Sequence, residues 1–278
     1  MKFAIIVSKK DIAGLNIKDK LQKYHSFLPT EEIFDSNSVM KFGDKNNEVK
    51  LFTIENDSIH SENIDKKIYA DNFIFATKHQ AASGTHSLSI HVPGNFGMAG
   101  AGGKNHFLGK AMSSFMKYSY KRMQELSEGL NFQIIQECTH HGPCIDKPVM
   151  FIEIGSSQES WIREDAGKII AQIIYELVVN EIPILKEYAV IGGMHYNYVA
   201  DKINKNTEFC VGHICTKYNM DNLNEEIVEQ IVLKSETSSV EFLFDWKGAN
   251  TAESRNKVIS IIESKGYKWH RSDKFFKE

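Results

Sequence analysis

The segments Val149-Met-Phe-Ile-Glu-Ile154, Asp165-Ala-Gly-Lys-Ile-Ile-Ala-Gln-Ile-Ile-Tyr-Glu-Leu-Val-Val179 and Tyr188-Ala-Val-Ile191 decide the fold class. The first is a short apolar run of strand length. The second has helical length, and its Ile169, Ile170, Ile173, Ile174 and Leu177 leave little polar face, so it packs deep against a sheet. The third is a short strand that stops at Gly192-Gly193. Strand, buried helix and strand in succession belong to the α/β class.

Reading outward, continuous apolar runs predict strands over 3–7, 49–54 and 72–77, and alternation predicts one over 88–92. The segment 108–126 reads as a helix, with Leu108, Met112, Phe115, Met123 and Leu126 near one stripe and Lys110, Lys117 and Lys121 along another. A strand over 132–138 is separated from 149–154 by the turn residues His141-Gly-Pro143 and Asp146-Lys-Pro148. A strand over 209–211 ends at Gly212, and amphipathic helices over 224–235 and 252–265 flank a strand over 240–244. The polar stretches 31–47 and 55–67 read as loops or short helices. The sum is a three-layer α/β/α fold with a mixed, largely parallel sheet. With no repeat and no linker composition, one domain spanning 1–278 is expected.

The 278 residues are 42% hydrophobic and 25% charged, ordinary for a globular protein. No apolar run approaches the ~20 residues of a membrane span, so no membrane partner is expected. The opening Met1-Lys-Phe-Ala-Ile-Ile-Val7 has too short an apolar core for a signal peptide and reads as a first strand. Four cysteines in a chain this long make no disulfide framework. A cytoplasmic, monomeric protein with reduced thiols is the expectation.

A formal net charge of -3 argues against a nonspecific nucleic-acid coat but not against a local basic face. The window 72–124 contains no Asp or Glu. It carries Lys78, Lys104, Lys110, Lys117, Lys121 and Arg122, four histidines, and the run Gly94-Asn-Phe-Gly-Met-Ala-Gly-Ala-Gly-Gly103. Such a window suits a polyanion. The glycine run has neither Walker nor dinucleotide-fingerprint spacing. It reads either as a surface loop or as backbone able to approach an anion or a developing oxyanion.

Four predicted strand ends each deliver a histidine: His79, the pair His140-His141, His195 and His213. In α/β sheets ligands bind beyond the carboxyl ends of strands, so these histidines are expected to share a site. Imidazoles there can serve as general bases toward water or hold a metal that acidifies it. Glu153, at the end of an apolar strand, is either a solvated strand end or a carboxylate that orients a histidine. The spacings Cys138-x₅-Cys144 and Cys210-x₄-Cys215 are loose for a cysteine-held structural zinc. Cys138 reads as a small buried apolar residue, and Cys144 is a weak candidate nucleophile.

In combination, several motifs resemble the archaeal and plant D-aminoacyl-tRNA deacylase family. They are Ser83-Gly-Thr-His-Ser-Leu-Ser-Ile-His-Val-Pro-Gly-Asn95, Thr139-His-His-Gly-Pro143, Glu153-Ile-Gly-Ser156, Gly192-Gly-Met-His195, Gly212-His-Ile214 with Lys217-Tyr218, and Asp245-Trp-Lys-Gly248. The resemblance runs over almost the whole chain. Departures are His86 where proline is common, Phe96 for a usual tryptophan, and Cys215-Thr216 for an Ile-Pro pair; these bear on local loop shape. The cysteines are not part of the family pattern.

The resemblance implies a phosphorylase/peptidyl-tRNA hydrolase-like α/β fold. It implies hydrolysis of the ester between a D-amino acid and the tRNA 3′ terminus, and, by extension, of aldehyde-modified D-aminoacyl esters. It implies zinc, with His140, His141, His195 and Glu153 as candidate ligands. His79, His140, His141 and His195 are the catalytic candidates. Lys78, Lys104, Lys110, Lys117 and Lys121 would hold tRNA phosphates, and Gly94, Asn95, Gly102 and Gly103 would contact the reacting end. Two other classes fit less well. A zinc exopeptidase or nucleoside phosphorylase-like enzyme would cleave free peptides or nucleosides. A noncatalytic tRNA-binding protein would need the basic face but not the histidines.

Overall fold

The computed structural model describes residues 1–43 and 47–276. In chain order the elements are β1 (Lys2–Ser8), α1 (Ile12–His25), β2 (Leu28–Phe34), β3 (Asn37–Gly43), β4 (Glu48–Ile54), β5 (Asn72–Lys78), β6 (Ser87–His91), β7 (Gly94–Asn95), β8 (Phe107–Leu108), α2 (Ser113–Leu126), β9 (Gln133–Gln136) and β10 (Val149–Gly155). There follow α3 (Gln158–Trp161), α4 (Glu164–Val179), β11 (Glu187–Ile191), α5 (Tyr198–Asn206), β12 (Cys210–Cys215), α6 (Glu225–Leu233), β13 (Glu241–Phe244), α7 (Ala252–Ser264), β14 (Trp269–Arg271) and α8 (Ser272–Phe275).

An eight-stranded sheet has the order β2-β3-β4-β1-β5-β10-β6-β9. Its centre, β4-β1-β5-β10, is parallel; β6 runs antiparallel to β10, and β9 parallel to β6. The mixed, largely parallel sheet is therefore as expected. A second, four-stranded sheet, β12-β11-β13-β14, is wholly parallel. The sequence reading had merged the two sheets into one.

Each central strand is apolar on both faces because both are covered. On one face Ile5, Val7, Ile74, Met150 and Ile152 pack with α1, α2 and α4 through Ile17, Leu21, Met116, Tyr120, Ile170 and Ile174. On the other, Ala4, Ile6, Phe73, Phe75 and Phe151 lie under Ile64, Ile68 and Ile145. Phe75 and Phe151 stack with ring centroids 4.7 Å apart. The second sheet has its own core, in which Ala189, Ile191, Phe242 and Phe244 meet Ile227, Ile231, Val258 and Ile262 of α6 and α7.

Three local readings are corrected. The stretch 31–47 is largely the hairpin β2–β3 (residues 44–46 lie outside the described ones). It pairs antiparallel at the sheet edge; the side chains of β2 are mostly exposed, which is why that strand is polar, while Val39 and Met40 of β3 are buried. The helix expected over 108–126 starts at Ser113; Phe107–Leu108 pairs with Gly94–Asn95 instead. Strand β12 does not stop at Gly212 but runs to Cys215, with His213 buried inside it. A Cβ at Gly212 would strike the Glu187 carboxylate and Ser113 Oγ, so the glycine makes room for a neighbour and does not end the strand.

Candidate active site

The site lies on the seam between the two sheets, beyond strand ends. His79 follows β5, Glu153 sits in β10, and His91 ends β6. The chain leaving β9 carries Glu137, Cys138, His140 and His141, and the chain leaving β11 carries His195 and Tyr196. A bridge between Glu137 and Tyr196, with the Cys138 N–H donating to the His195 carbonyl at 2.9 Å, joins the two segments. A cleft of about 690 Å³ opens over them, lined among others by Lys78, His79, Glu153, Met194, His195 and Tyr196, with His140 and His141 at its floor. That size and partial enclosure suit a small-molecule-sized group.

The expected convergence of His79, His140, His141 and His195 is present. Ring centroids of His140 lie 4.3 Å from His141 and 4.5 Å from His195, and those of His79 and His195 are 6.0 Å apart. His213 is elsewhere, beside Thr139 in the interior of β12. Two members escaped the sequence reading. His91 is fully buried and its ring lies 4.2 Å from that of His140. Glu137 is 1% exposed, and its Oε2 lies 2.7 Å from His195 Nε2 and 3.1 Å from His79 Nδ1. Glu137 lies just past β9 between Gln136 and Cys138, where the sequence carries no sign of burial, and a carboxylate is buried there only with partners.

These contacts divide the two carboxylates. Burial alone would raise the Glu137 carboxyl, but hydrogen bonds from His195 and His79 outweigh it and hold the group well below the usual carboxylate range. Burial, then the charge of Glu137, pushes Glu153 up to about 8. One carboxylate is thus charged and the other protonated near neutral pH, the separation an acid–base site requires. Glu153 Oε1 accepts from Thr77 Oγ1 at 2.7 Å. Burial holds His91 at about 4 and His141 at about 3, so both are neutral imidazoles. For His195, burial is outweighed by Cys138 and Glu137, which raise it to about 10. Tyr196 Oη lies 2.7 Å from His79 Nε2, and burial followed by the charges of Glu137 and Glu153 raises its phenol to about 12.

Several features mark a cation site. Neither ring nitrogen of His91 makes a well-formed hydrogen bond, nor does Glu137 Oε1. Among the described residues, three groups hold ligand-type atoms all within 4.8 Å of one another: His91-His140-His141, Cys138-His140-His195 and His79-Glu137-His195. Glu153 belongs to none of them; its Oε2 is 3.6 Å from His91 Nε2 and 3.8 Å from His79 Nδ1.

The glycine run supports this cluster from behind. The Gly94 N–H donates to the carbonyls of His140 and His141, at 3.2 and 2.7 Å. The Gly103 N–H donates to Glu62 Oε1 at 2.5 Å, and Asn95 Nδ2 donates to the carbonyls of Gly102 and Lys104 at 3.0 and 3.3 Å. These donors are spent inside the protein, so Gly94, Asn95 and Gly103 are not the oxyanion contacts that the sequence suggested. Gly102 and Gly103 have φ of 71° and 81°, and a Cβ on Gly103 would sit 3.1 Å from Gly142 Cα. The run is glycine-rich because it packs backbone to backbone under the histidine turn.

The lysines do not form one face. Lys78 lines the cleft, with its Nζ 5.3 Å from the centre of the Trp161 ring. Lys104 and Lys110 are exposed. Lys117, expected to hold phosphate, is 2% exposed; its Nζ donates to the carbonyls of Ile203, Asn204 and Thr207, at 3.1, 2.8 and 2.7 Å, and so caps the end of α5. Lys121 pairs with Glu208 at 3.1 Å, beside the start of β12 and at the end of that sheet away from the cleft. The expected lysine stripe does not hold: Lys110 precedes α2, and of the other two Lys117 meets the end of α5 while Lys121 meets Glu208.

An α/β protein whose cleft gathers neutral imidazoles, a protonated carboxylate and a half-buried phenol, with a charged carboxylate beneath them, has the make-up of a hydrolytic site. The comparisons with known proteins agree. The family profile described as D-aminoacyl-tRNA deacylase matches residues 66–270. The chain is 34% identical over 271 residues to the D-aminoacyl-tRNA deacylase of Pyrococcus furiosus, covering 94% of this chain and 97% of that one. It is 32% identical over 275 residues to that of Thermococcus onnurineus, covering 96% and 98%. The crystal structure of a conserved protein of unknown function, AF0625, superposes with a TM-score of 0.87 at 28% identity, covering 99% of this chain and 96% of that one. This chain belongs to the D-aminoacyl-tRNA deacylase family.

Proposed function

We propose that the chain hydrolyses the ester joining a D-amino acid to the 3′-terminal ribose of tRNA, releasing free D-amino acid and tRNA. The carrying observation is the convergence of imidazoles and the Glu137–Glu153 pair beneath one open cleft, in a chain of this family. The cleft admits the aminoacyl-ribose end, and Lys78 at its wall meets the adjoining phosphate.

His79 has one nitrogen on Glu137 and the other on Tyr196 Oη, so Glu137 sets its tautomer: Nδ1–H toward the carboxylate, Nε2 accepting from the phenol. That chain is a proton shuttle. As water attacks the ester carbonyl, its proton passes to the Tyr196 oxygen while the phenol proton moves to His79. The same protons return through Tyr196 to the departing ribose oxygen. An ester has a good leaving group, so no covalent nucleophile is needed.

The donor set fits zinc. His140 belongs to two of the three candidate groups, so an ion would be held there, with His91 and His141 on one side or Cys138 and His195 on the other. When bound, zinc would supply Lewis-acid activation of the carbonyl and of water. Rejection of L-aminoacyl esters would come from steric exclusion in the cleft.

The test is single-turnover hydrolysis of one tRNA charged with D- or L-tyrosine, before and after metal removal with a chelator. Hydrolysis of the D ester in large excess over the L ester supports the reading. Equal cleavage of both would remove the chiral function, and an undiminished rate after complete metal removal would leave catalysis to the protein residues alone.

A further inference from the structure

Cys138 lies two residues beyond β9 and is 4% exposed. Its Sγ lies 3.4 Å from His195 Nδ1. We propose that Cys138 supplies a thiolate ligand, with His140 and His195, to the divalent cation of this site. This rests on reading the cleft as metal-assisted. On binding, the Cys138 S–H bond and the His195 Nδ1–H bond break, sulfur–metal and nitrogen–metal bonds form, and both protons leave to solvent.

Two geometric facts choose this set over His91-His140-His141. A metal-ligating histidine almost always has its other ring nitrogen fixed by a carboxylate or a backbone carbonyl. His195 has Nε2 on Glu137 at 2.7 Å, and His140 has Nδ1 on the Cys138 carbonyl at 2.8 Å. That leaves His195 Nδ1 toward the sulfur and His140 Nε2 toward the same cluster, 3.8 Å from Glu137 Oε2. His141 is fixed likewise by the Gly142 carbonyl at 2.6 Å, whereas His91 is held less tightly: among the described residues neither nitrogen makes a well-formed hydrogen bond, and Glu153 Oε2 is 3.6 Å from its Nε2.

The second fact is spacing. A tetrahedral ion with sulfur about 2.3 Å and nitrogen about 2.0 Å away holds the two about 3.5 Å apart. The observed 3.4 Å needs almost no rearrangement. A simple thiol–imidazole hydrogen bond spans a similar gap, and the third ligand separates the cases: the His140 ring stands 4.5 Å from that of His195 at 73° to it, on the same cluster. Glu137 then acts behind the ion, with His195 on one side and His79 of the proton shuttle on the other. Residue 138 lies just outside the family motif Thr139-His-His-Gly-Pro143. A thiolate shifts such a site toward softer ions.

The experiment is titration of the metal-free full chain with cobalt(II) chloride, read in the near-ultraviolet and visible. The wild type is expected to develop both visible d–d absorption and a near-ultraviolet sulfur-to-cobalt charge-transfer band, saturating together. Cys138→Ser is expected to keep the visible absorption and lose the near-ultraviolet band, and Cys215→Ser, changing another buried thiol, is expected to keep both. Cobalt binding by the wild type without the charge-transfer band overturns this assignment and leaves the metal reading intact. Absence of any cobalt binding overturns both. Should Cys138→Ser not fold, alkylation of Cys138 in the wild type decides: saturating zinc is expected to slow its reaction with iodoacetamide at least tenfold, and an unchanged rate refutes the ligand.

Discussion

Glu137→Gln is the sharpest perturbation of the catalytic reading. The carboxylate is almost fully buried and takes hydrogen bonds from two imidazoles, at 2.7 and 3.1 Å. A hydrogen bond to a charged group is worth about 1.5–3 kcal/mol and a neutral one about 1. Glutamine keeps the size but loses the charge, and its amide must turn an N–H toward one imidazole. Two bonds weakened by about 1–2 kcal/mol each give about 3 kcal/mol, or about a hundredfold in rate. Because Glu137 does not line the cleft, the loss falls on kcat and not on KM. Removing one partner of a buried charge pair costs about 3–5 kcal/mol, so the thermal midpoint is expected to fall as well, and kcat is read at a temperature where the variant is still folded. Single-turnover deacylation of D-aminoacyl-tRNA beside a thermal melt measures both. A kcat within threefold of wild type in the folded variant would refute the place given to Glu137.

Lys117→Met is expected to destabilise the fold by about 2–4 kcal/mol, since it leaves the α5 carbonyls of Asn204 and Thr207 without their donor; tRNA affinity in the folded fraction should not change, and a selective loss of affinity would restore the lysine to the binding face. Lys78→Met is expected to weaken tRNA binding and lower the slope of log affinity against log salt by about one, measured by filter binding across a salt series. Gly103→Ala is expected to cut deacylation about tenfold or more by forcing the loop off the His140–Gly142 turn, with tRNA binding retained; full activity would show that the loop does not set the histidines. Burial raises Glu187 to about 7 against an ordinary value near 4.5. The folded state therefore holds a proton that the unfolded chain has lost between those values, and this group's stabilisation, complete below about 4.5, is lost as pH rises through 7. Urea unfolding of wild type against Glu187→Gln should show the wild type losing up to about 3 kcal/mol relative to the variant over that window; parallel curves would refute it.

The parts of the fold legible in the sequence were those whose side chains declare their burial. Strands β1, β4, β5 and β10 are continuous apolar runs because both faces are covered, and α4 shows its depth in its isoleucines. The hairpin β2–β3 stayed hidden because the mostly exposed edge strand β2 carries no apolar alternation and β3 buries only the adjacent pair Val39-Met40. The helix α1 passed unread although Asp11 caps it and Ile17 and Leu21 fall on one face. In the site, histidines at strand ends were visible as a set, yet His213 shared the pattern and sits inside a strand. Lys117 shows the same limit: charge on a helix stripe is visible in sequence, but which neighbour the stripe meets is a tertiary fact. Glu137 follows Gln136 at the exit of β9, so a polar strand end and a buried carboxylate read alike in sequence.

The seam between the sheets has one mechanical consequence. His195 and Tyr196 hang from the four-stranded sheet, whereas His79, His91 and Glu153 hang from the eight-stranded one. Loosening the smaller sheet, with its separate core, would pull the shuttle apart while the larger sheet stayed folded. On heating, turnover should therefore fail before the bulk of the helical signal melts, so that catalysis reports the docking of one half of the molecule against the other.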